Sequence, residues 1–552
     1  MSYRKMIQNG IGVQLVTLLL INCIGPTVTP GSEVPTGSPV SKATIASPAP
    51  VTPATQAVAG TRSLPTALAA ARAINLWEDV TQATIGDTRE WTNKVELADI
   101  NGDSLVDILF ANGGRYAEPD EPEFSRVFLN RGPGQMFAEA TQDVFGPTPM
   151  PARVVKVRDV NQDQRPDIMV GTTFQTQSRL YLGEDSGRYT EVTATHLPQM
   201  DASIGDLEFG DVDGDGDLDI VLADWGFGNP LENVGGRTML WLNDGTGRFS
   251  DVTGTNMPES RVKFSWELEL VDIDNDYDLD ILVSCKLCAG GRLFENDGSG
   301  LFTDISRDSL PRNIHNYDIE AFDLDGDGYL DLVTTNARPD NQENLFLTNR
   351  QGVFEDSTEQ FWPPSENYIC DDSTHAFFDF DSDGDADILI GSFDCADRVY
   401  ENDGSGHLKL FSFMEGDTLG TLGIAVVDLN GDHRLDVVQA QGEQAFPDKV
   451  YFGQNTQPDT AAPVVTLVEE VSAPGSGQPI QIRARIHDYK SPTMPHDWQS
   501  VVLRWTANGQ TQEIPMQWYG EYLWRGVIDS PSGDFSYQVC AIDAAGNETC
   551  SP

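Results

Sequence analysis

Basic residues are scarce in this chain. Lysine and arginine number 35 against 86 aspartates and glutamates in 552 residues, a formal charge of −51. Non-specific binding to nucleic acid or an anionic membrane surface requires a basic face, so neither is the expected partner. Catalytic signatures are also missing: there is no nucleophile motif, Walker loop or H-E-x-x-H, and the seven histidines are scattered. The apolar stretch Ile11–Ile21 is too short to span a bilayer. Cysteine is sparse. Apart from Cys23, six remain: Cys285 and Cys288 in a C-x-x-C, Cys370 and Cys395 flanking an acidic segment, and Cys540 and Cys550 near the end. An even number in an exported chain suits three disulfides. A lone C-x-x-C with no second pair nearby reads as a local disulfide rather than a zinc or redox site.

What is abundant is aspartate, in one pattern. Seven nonapeptides have the form D-x-[DN]-x-D-x-x-x-D, at intervals of 49 to 61 residues. Such a density of carboxylates calls for a cation. Calcium takes six to eight oxygen ligands at roughly 2.3–2.6 Å. Positions 1, 3, 5 and 9 can offer side chains and position 7 its backbone carbonyl. The expected donors are Asp99, Asn101, Asp103, Leu105 and Asp107; then Asp159, Asn161, Asp163, Arg165 and Asp167; then Asp211, Asp213, Asp215, Asp217 and Asp219. The fourth and fifth loops offer Asp272, Asp274, Asp276, Asp278 and Asp280, and Asp323, Asp325, Asp327, Tyr329 and Asp331. The last two offer Asp379, Asp381, Asp383, Asp385 and Asp387, and Asp428, Asn430, Asp432, Arg434 and Asp436. The variety at position 7 suits a backbone ligand. Up to seven Ca²⁺ would bring the charge to about −37. Position 12 is never Glu, which excludes an EF-hand.

An apolar, β-branched run follows every loop, and segments such as Trp266–Val271 precede them, so the unit is strand, loop, strand. A hairpin follows about 20 to 30 residues on, as in LWLNDGTGRFSDVT from Leu240. Four short strands per repeat make a propeller blade, and seven repeats a seven-bladed β-propeller. The last repeat lacks its final strand at Val450–Gly453, while Leu76–Thr81 carries one before the first repeat, so this segment is expected to close the ring.

These loops and the strands after them resemble the FG-GAP/VCBS repeats of secreted bacterial proteins and, more distantly, the integrin α-chain propeller, over residues 76–456. The resemblance implies calcium at positions 1, 3, 5, 7 and 9 and roles in adhesion or lectin-like carbohydrate binding. Only Phe209-Gly210 keeps the "FG" and no copy keeps "GAP".

The ends differ. Residues 1–23 read as a signal peptide, with Arg4 and Lys5 before the apolar core. Leu20-Ile-Asn-Cys23 resembles a bacterial lipobox, so either a lipid at Cys23 tethers the chain or cleavage falls a few residues later. Residues 24–75 are a Pro/Thr/Ser-rich linker suited to holding a head away from a surface. From 460 to 552, six or seven alternating segments read as an Ig-like β-sandwich.

Two further features stand out. Three residues before the first Asp, four repeats carry Glu96, Glu208, Glu269 and Glu320; five before it, three carry Asp206, Glu267 and Asp318. Positions two apart share a strand face, so a band of acid would face the channel, ready for a cation or paired with Lys and Arg. His375 stands where the other repeats have Val, Leu or Ile, and a hydrogen-bonded core histidine is its simplest reading. Trp225, Phe227, Trp362 and Tyr368, in long loops, are candidates to stack on sugars, or else packing plugs. The expectation is a secreted, cell-surface or periplasmic monomer that binds an extracellular glycan or surface protein without catalysis. A carbohydrate-active enzyme such as a polysaccharide lyase, or a structural protein of the cell surface, is the alternative.

Overall fold

The computed structural model describes residues 75–552 except 117–121, 186, 289, 313–314, 338–342, 349–351, 415–418, 443–445, 472–477 and 530–533. The expected signal peptide, Cys23 and nearly all of the linker lie outside the described residues.

From Trp77 to Gly453 the chain forms four-stranded antiparallel sheets, seven in succession. In the third, Ile204–Gly210, Asp219–Asp224, Thr238–Asn243 and Phe249–Asp251 pair in sequence order. This is the construction of a β-propeller. Every second strand begins on the ninth residue of its acidic loop, because the alternating apolar run starts there. The innermost strands touch in chain order, and the last, Thr421–Val427, meets the first, Thr92–Ala98. Apolar side chains fill the spaces between neighbouring sheets, as where Leu109 and Val127 of the first meet Val155 and Val170 of the second. Trp77–Asp79 pairs with Lys449–Gly453 as the outer strand of the seventh sheet, as its sequence foretold.

The outer strands carry a feature that sequence reading merged into them. In six sheets the D-V-T-like segment leaves the strand at its Thr or Ser and makes one helical turn, as at Thr253–Asn256. The hydroxyl of Thr81, Thr141, Thr193, Thr253, Ser306 or Thr358 accepts a third-strand N–H at 2.9–3.1 Å. Pairing thus continues where the strand stops.

Residues 464–550 form two more four-stranded sheets that share a core including Ile482, Ile486, Leu503, Trp524 and Val539. There are eight strands rather than six or seven. The segment QEIPMQWYG breaks at Met516, so Gln510–Pro515 joins one sheet and Gln517–Gly520 the other. Cys285–Cys288, Cys370–Cys395 and Cys540–Cys550 are disulfide-bonded, which points to an oxidising or extracellular compartment. Among the described residues no helix is long and apolar enough to cross a membrane.

This C-terminal unit sits on the rim that carries the acidic loops. Tyr519 O accepts the Asp211 N–H at 2.8 Å and Tyr522 Oη donates to Ala321 O at 3.0 Å; in the segment leading into the unit, the Asp459 N–H donates to His433 O at 2.6 Å. His487 is buried here against Phe322, Tyr489 and Tyr522. Burial, with the Arg485 charge, pushes its pKa down to about 3. The unfolded chain titrates near the ordinary histidine value of 6.5. The neutral ring therefore contributes stability that is full above that value and is lost as pH falls from it towards about 3. The loss is on the order of 5 kcal/mol. His487→Phe keeps the aromatic packing and should flatten this part of the stability–pH curve. Parallel curves for variant and parent in denaturant titrations would reject the assignment.

Candidate functional site

The seven acidic loops share one geometry. Positions 4 and 6 are left-handed in every copy, with φ from 58° to 110°. Glycine takes this region without cost, but Gln162, Gln164, Tyr277 and His433 take it too. What holds them is the position-1 carboxylate. Asp99 Oδ1 accepts the N–H of Gly102 at 2.8 Å and Oδ2 that of Ser104 at 2.7 Å; Asp428 repeats this with Gly431 and His433 at 2.7 Å each. Position 3 takes the N–H of position 5, and position 5 that of position 7, as in Asn101, Asp103 and Leu105.

Position 9 has a second task, which the sequence did not disclose. Its Oδ2 accepts the N–H of position 2 at 2.8–3.3 Å in all seven loops. In six, its Oδ1 accepts an N–H from the last residue of the third strand or the one after it, at 2.7–2.9 Å. Each position-9 aspartate is buried. Burial, reinforced by the other loop carboxylates, pushes Asp107 and Asp167 up to about 7 and Asp219 and Asp436 up to about 8, despite these N–H donors.

An asparagine in four hairpins completes the frame. Asn243 Nδ2 donates to Leu218 O of its own loop and to Val160 O of the preceding one, at 3.0 and 2.8 Å. Asn296, Asn402 and Asn130 do the same, Asn130 reaching back to Leu429 of the seventh loop. The N-D-G of LWLNDGTG was legible as a turn; its asparagine as a bridge between sheets was not.

The donor set fits a hard cation. Carboxylate oxygens of Asp211, Asp213 and Asp219 lie within 4.8 Å of one another, as do those of Asp272, Asp274 and Asp276, and of Asp323, Asp325 and Asp331. Asp381 Oδ1 is buried with no hydrogen-bond partner. Two loops also receive arginines from the C-terminal unit. Arg525 pairs with the Asp211 carboxylate, and Arg485 donates to Asp272 O at 2.5 Å while lying 3.2 Å from its carboxylate. In the second loop Arg165 turns its own guanidinium onto Asp163, 2.5 Å away.

At the opposite rim, loops from most sheets bring aromatic side chains together. Trp266 lies 4.5 Å from Tyr317, 4.9 Å from Tyr116 and 5.2 Å from Phe264, and Trp91, Trp225 and Phe393 join them. The Arg153 guanidinium sits 4.5 Å over Trp266 and the Lys286 ammonium 3.9 Å over Tyr317. Trp225 and Trp362, expected as possible sugar platforms, are 1% and 0% exposed. Trp225 donates its indole N–H to Ser265 O, and Trp362 packs on Tyr400, so both are packing plugs. Phe227 is 85% exposed and Tyr368 half-buried.

In the channel the acid band faces inward as expected and is partly paired: Lys94 with Glu267 and Asp206, Lys156 with Glu208, and Arg158 with Glu96. His375 is buried, with Nδ1 3.0 Å from Asp318.

Comparison with known proteins finds FG-GAP-like repeats at residues 99–170, 159–222, 288–334 and 379–438. Cartilage acidic protein 1 of Xenopus tropicalis is 29% identical over 180 residues, covering 29% of this chain and 27% of that protein; the match thus spans about a quarter of the relative's length. Among solved structures, the BP39L lectin from Burkholderia pseudomallei aligns with 68% of this chain and all of its own, at 13% identity and a TM-score of 0.46. The V. cholerae biofilm matrix protein Bap1 aligns with 84% of this chain and 72% of its own, at 16% identity and a TM-score of 0.31.

Proposed function

We propose that this chain, an FG-GAP-repeat β-propeller, is an exported calcium-binding protein that captures an extracellular ligand, a glycan before a surface protein, without catalysis. In this reading residues 76–456 form seven blades with up to seven Ca²⁺, residues 460–552 an Ig-like sandwich, residues 1–23 an export signal with a possible lipid at Cys23, and residues 24–75 a tether.

The observation that carries the reading is the asymmetry of the two rims. The C-terminal unit covers the loop rim through Tyr519, Arg485 and Arg525. That leaves the aromatic rim for a ligand. There Trp91, Tyr116 and Phe393 are half-buried, and Phe227 and Val234 are 85% and 77% exposed. Flat aromatic faces suit the apolar faces of sugar rings, and the half-buried Lys286 would favour an acidic sugar. The lyase alternative needs acids open to a polymer, and the channel acids lie beneath Ser491 and Glu521 of the C-terminal unit.

A glycan and polysaccharide array, run with calcium and with chelator, tests this. Retention on a defined sugar, weakened in Phe227→Ala, is expected. Shortening of that sugar would put the enzyme reading first. No retention on any sugar would move the weight to a protein partner.

A further inference from the structure

Beneath the C-terminal unit the channel holds a cavity of about 80 Å³ lined by six glutamates and three lysines. Of these lysines, Lys94 and Lys156 are engaged by the acids named above and Lys490 by Asp497, 2.8 Å away. Among the described residues no lysine or arginine lies within 4 Å of Glu269, Glu320 or Glu521. For Glu269 the strongest charge interactions are with Glu521 and Glu320, both of its own sign; burial and this repulsion hold its carboxyl well above the usual range. Burial likewise raises Glu320 to about 7 and Glu521 to about 8. Three buried carboxylates crowded together need a proton or a metal.

His375 distinguishes the two. It lines this cavity from the strand Asp372–Phe378, with its side chain 0% exposed. Nδ1 faces Asp318 Oδ2 at 3.0 Å, and the same oxygen accepts the His375 backbone N–H. Nδ1 makes no hydrogen bond at that distance, so Asp318 stands where a carboxylate behind a metal-bound histidine would, without yet fixing the ring. Nε2 has no hydrogen-bond partner, and Glu320 Oε2 stands 3.9 Å away. That separation is too long for a hydrogen bond, and a tetrahedral ion about 2.0–2.2 Å from each atom requires the two side chains to close by roughly 0.5 Å. Ser491 Oγ donates to Glu320 Oε2 at 2.9 Å and fixes its direction.

We propose that the channel holds one transition-metal cation of the zinc class, bound by His375 Nε2 and Glu320, with Glu269 and Glu521 completing its surroundings. The donor chemistry separates this site from the acidic loops: imidazole selects zinc-class metals, whereas all-oxygen loops select calcium. Glu521 and Ser491 come from the C-terminal unit and the other groups from the innermost strands, so the ion joins the two. The proposal goes beyond ligand capture at the aromatic rim and does not depend on it.

The test uses the full chain in excess calcium, which keeps the loops filled. After dialysis against zinc and washing, elemental analysis should find one zinc per chain. His375→Gln and Glu320→Gln should each weaken retention about tenfold or more, and Ser491→Ala less. Cobalt as a probe should give a visible absorption band that shifts in His375→Gln, a change a merely structural histidine would not cause. Zinc held equally by parent and His375→Gln, or none held by the parent, overturns the proposal. Should His375→Gln fail to fold, Glu320→Gln and Ser491→Ala decide it by the same comparison.

Discussion

In excess chelator the chain is expected to melt on the order of 10 °C lower than in calcium, and to be cut by protease within the acidic loops. Each loop gathers three or four carboxylates around one centre, and its position-9 member is buried beside them. Without metal, these groups either repel one another or take up protons; burial, reinforced by that repulsion, pushes Asp219 and Asp436 up to about 8 from 3.8. An ion bound only by the folded loop adds about 2.7 kcal/mol at a hundredfold excess over its Kd, and several loops act together. The effect should spread beyond the loops. Position 9 anchors the third strand, and asparagines such as Asn296 tie each loop to its neighbour. The first, second and seventh loops have Asn at position 3 and one carboxylate fewer, so they should empty first in a site-by-site titration. A melting curve unmoved by chelator would defeat structural calcium.

The parts of this architecture that local pattern determines were legible in the sequence. Aspartates at fixed spacing, followed by β-branched runs, defined the repeat, and the unpaired Leu76–Thr81 segment defined its closure. What escaped was set by contacts between distant residues. Nothing around Asp211 announces that Arg525, 314 residues away, pairs with it. Trp225 and Trp362 lie in loops, where a polar setting suggests exposure. Their burial depends on neighbours such as Phe264 and Tyr400, brought in by other parts of the fold. Position 9 was assigned a metal because carboxylates bind metals, and its backbone partners appear only once the hairpin folds over it. The acid band and His375 were located correctly, but which acids keep a lysine or arginine partner follows from the inner strands' mutual arrangement.

Trp77→Ala should be the most damaging single substitution at the seam, costing about 3–5 kcal/mol. Trp77 is 4% exposed, packs on Phe378 at 5.9 Å and sits in the cluster between the sixth and seventh sheets. Its indole N–H donates to Leu435 O at 3.0 Å, just before the buried Asp436 of the seventh loop. Truncation therefore removes a large apolar contact and leaves a carbonyl without its donor. The consequence differs from that of an equally buried tryptophan elsewhere. Trp241 lies in the middle of the third sheet, with its strand paired on both sides. Its loss should lower stability while leaving every sheet edge covered. Loss of Trp77 also loosens the strand that covers Lys449–Gly453, whose backbone groups then form an open edge. Trp77→Ala should therefore both lower the urea midpoint and produce soluble oligomers in gel filtration, whereas Trp241→Ala should only lower the midpoint. Equal behaviour of the two variants would mean that the seam is held by the backbone pairs alone, from Val80 N–H to Val450 O and from Gln454 N–H to Leu76 O, with Trp77 serving as ordinary core.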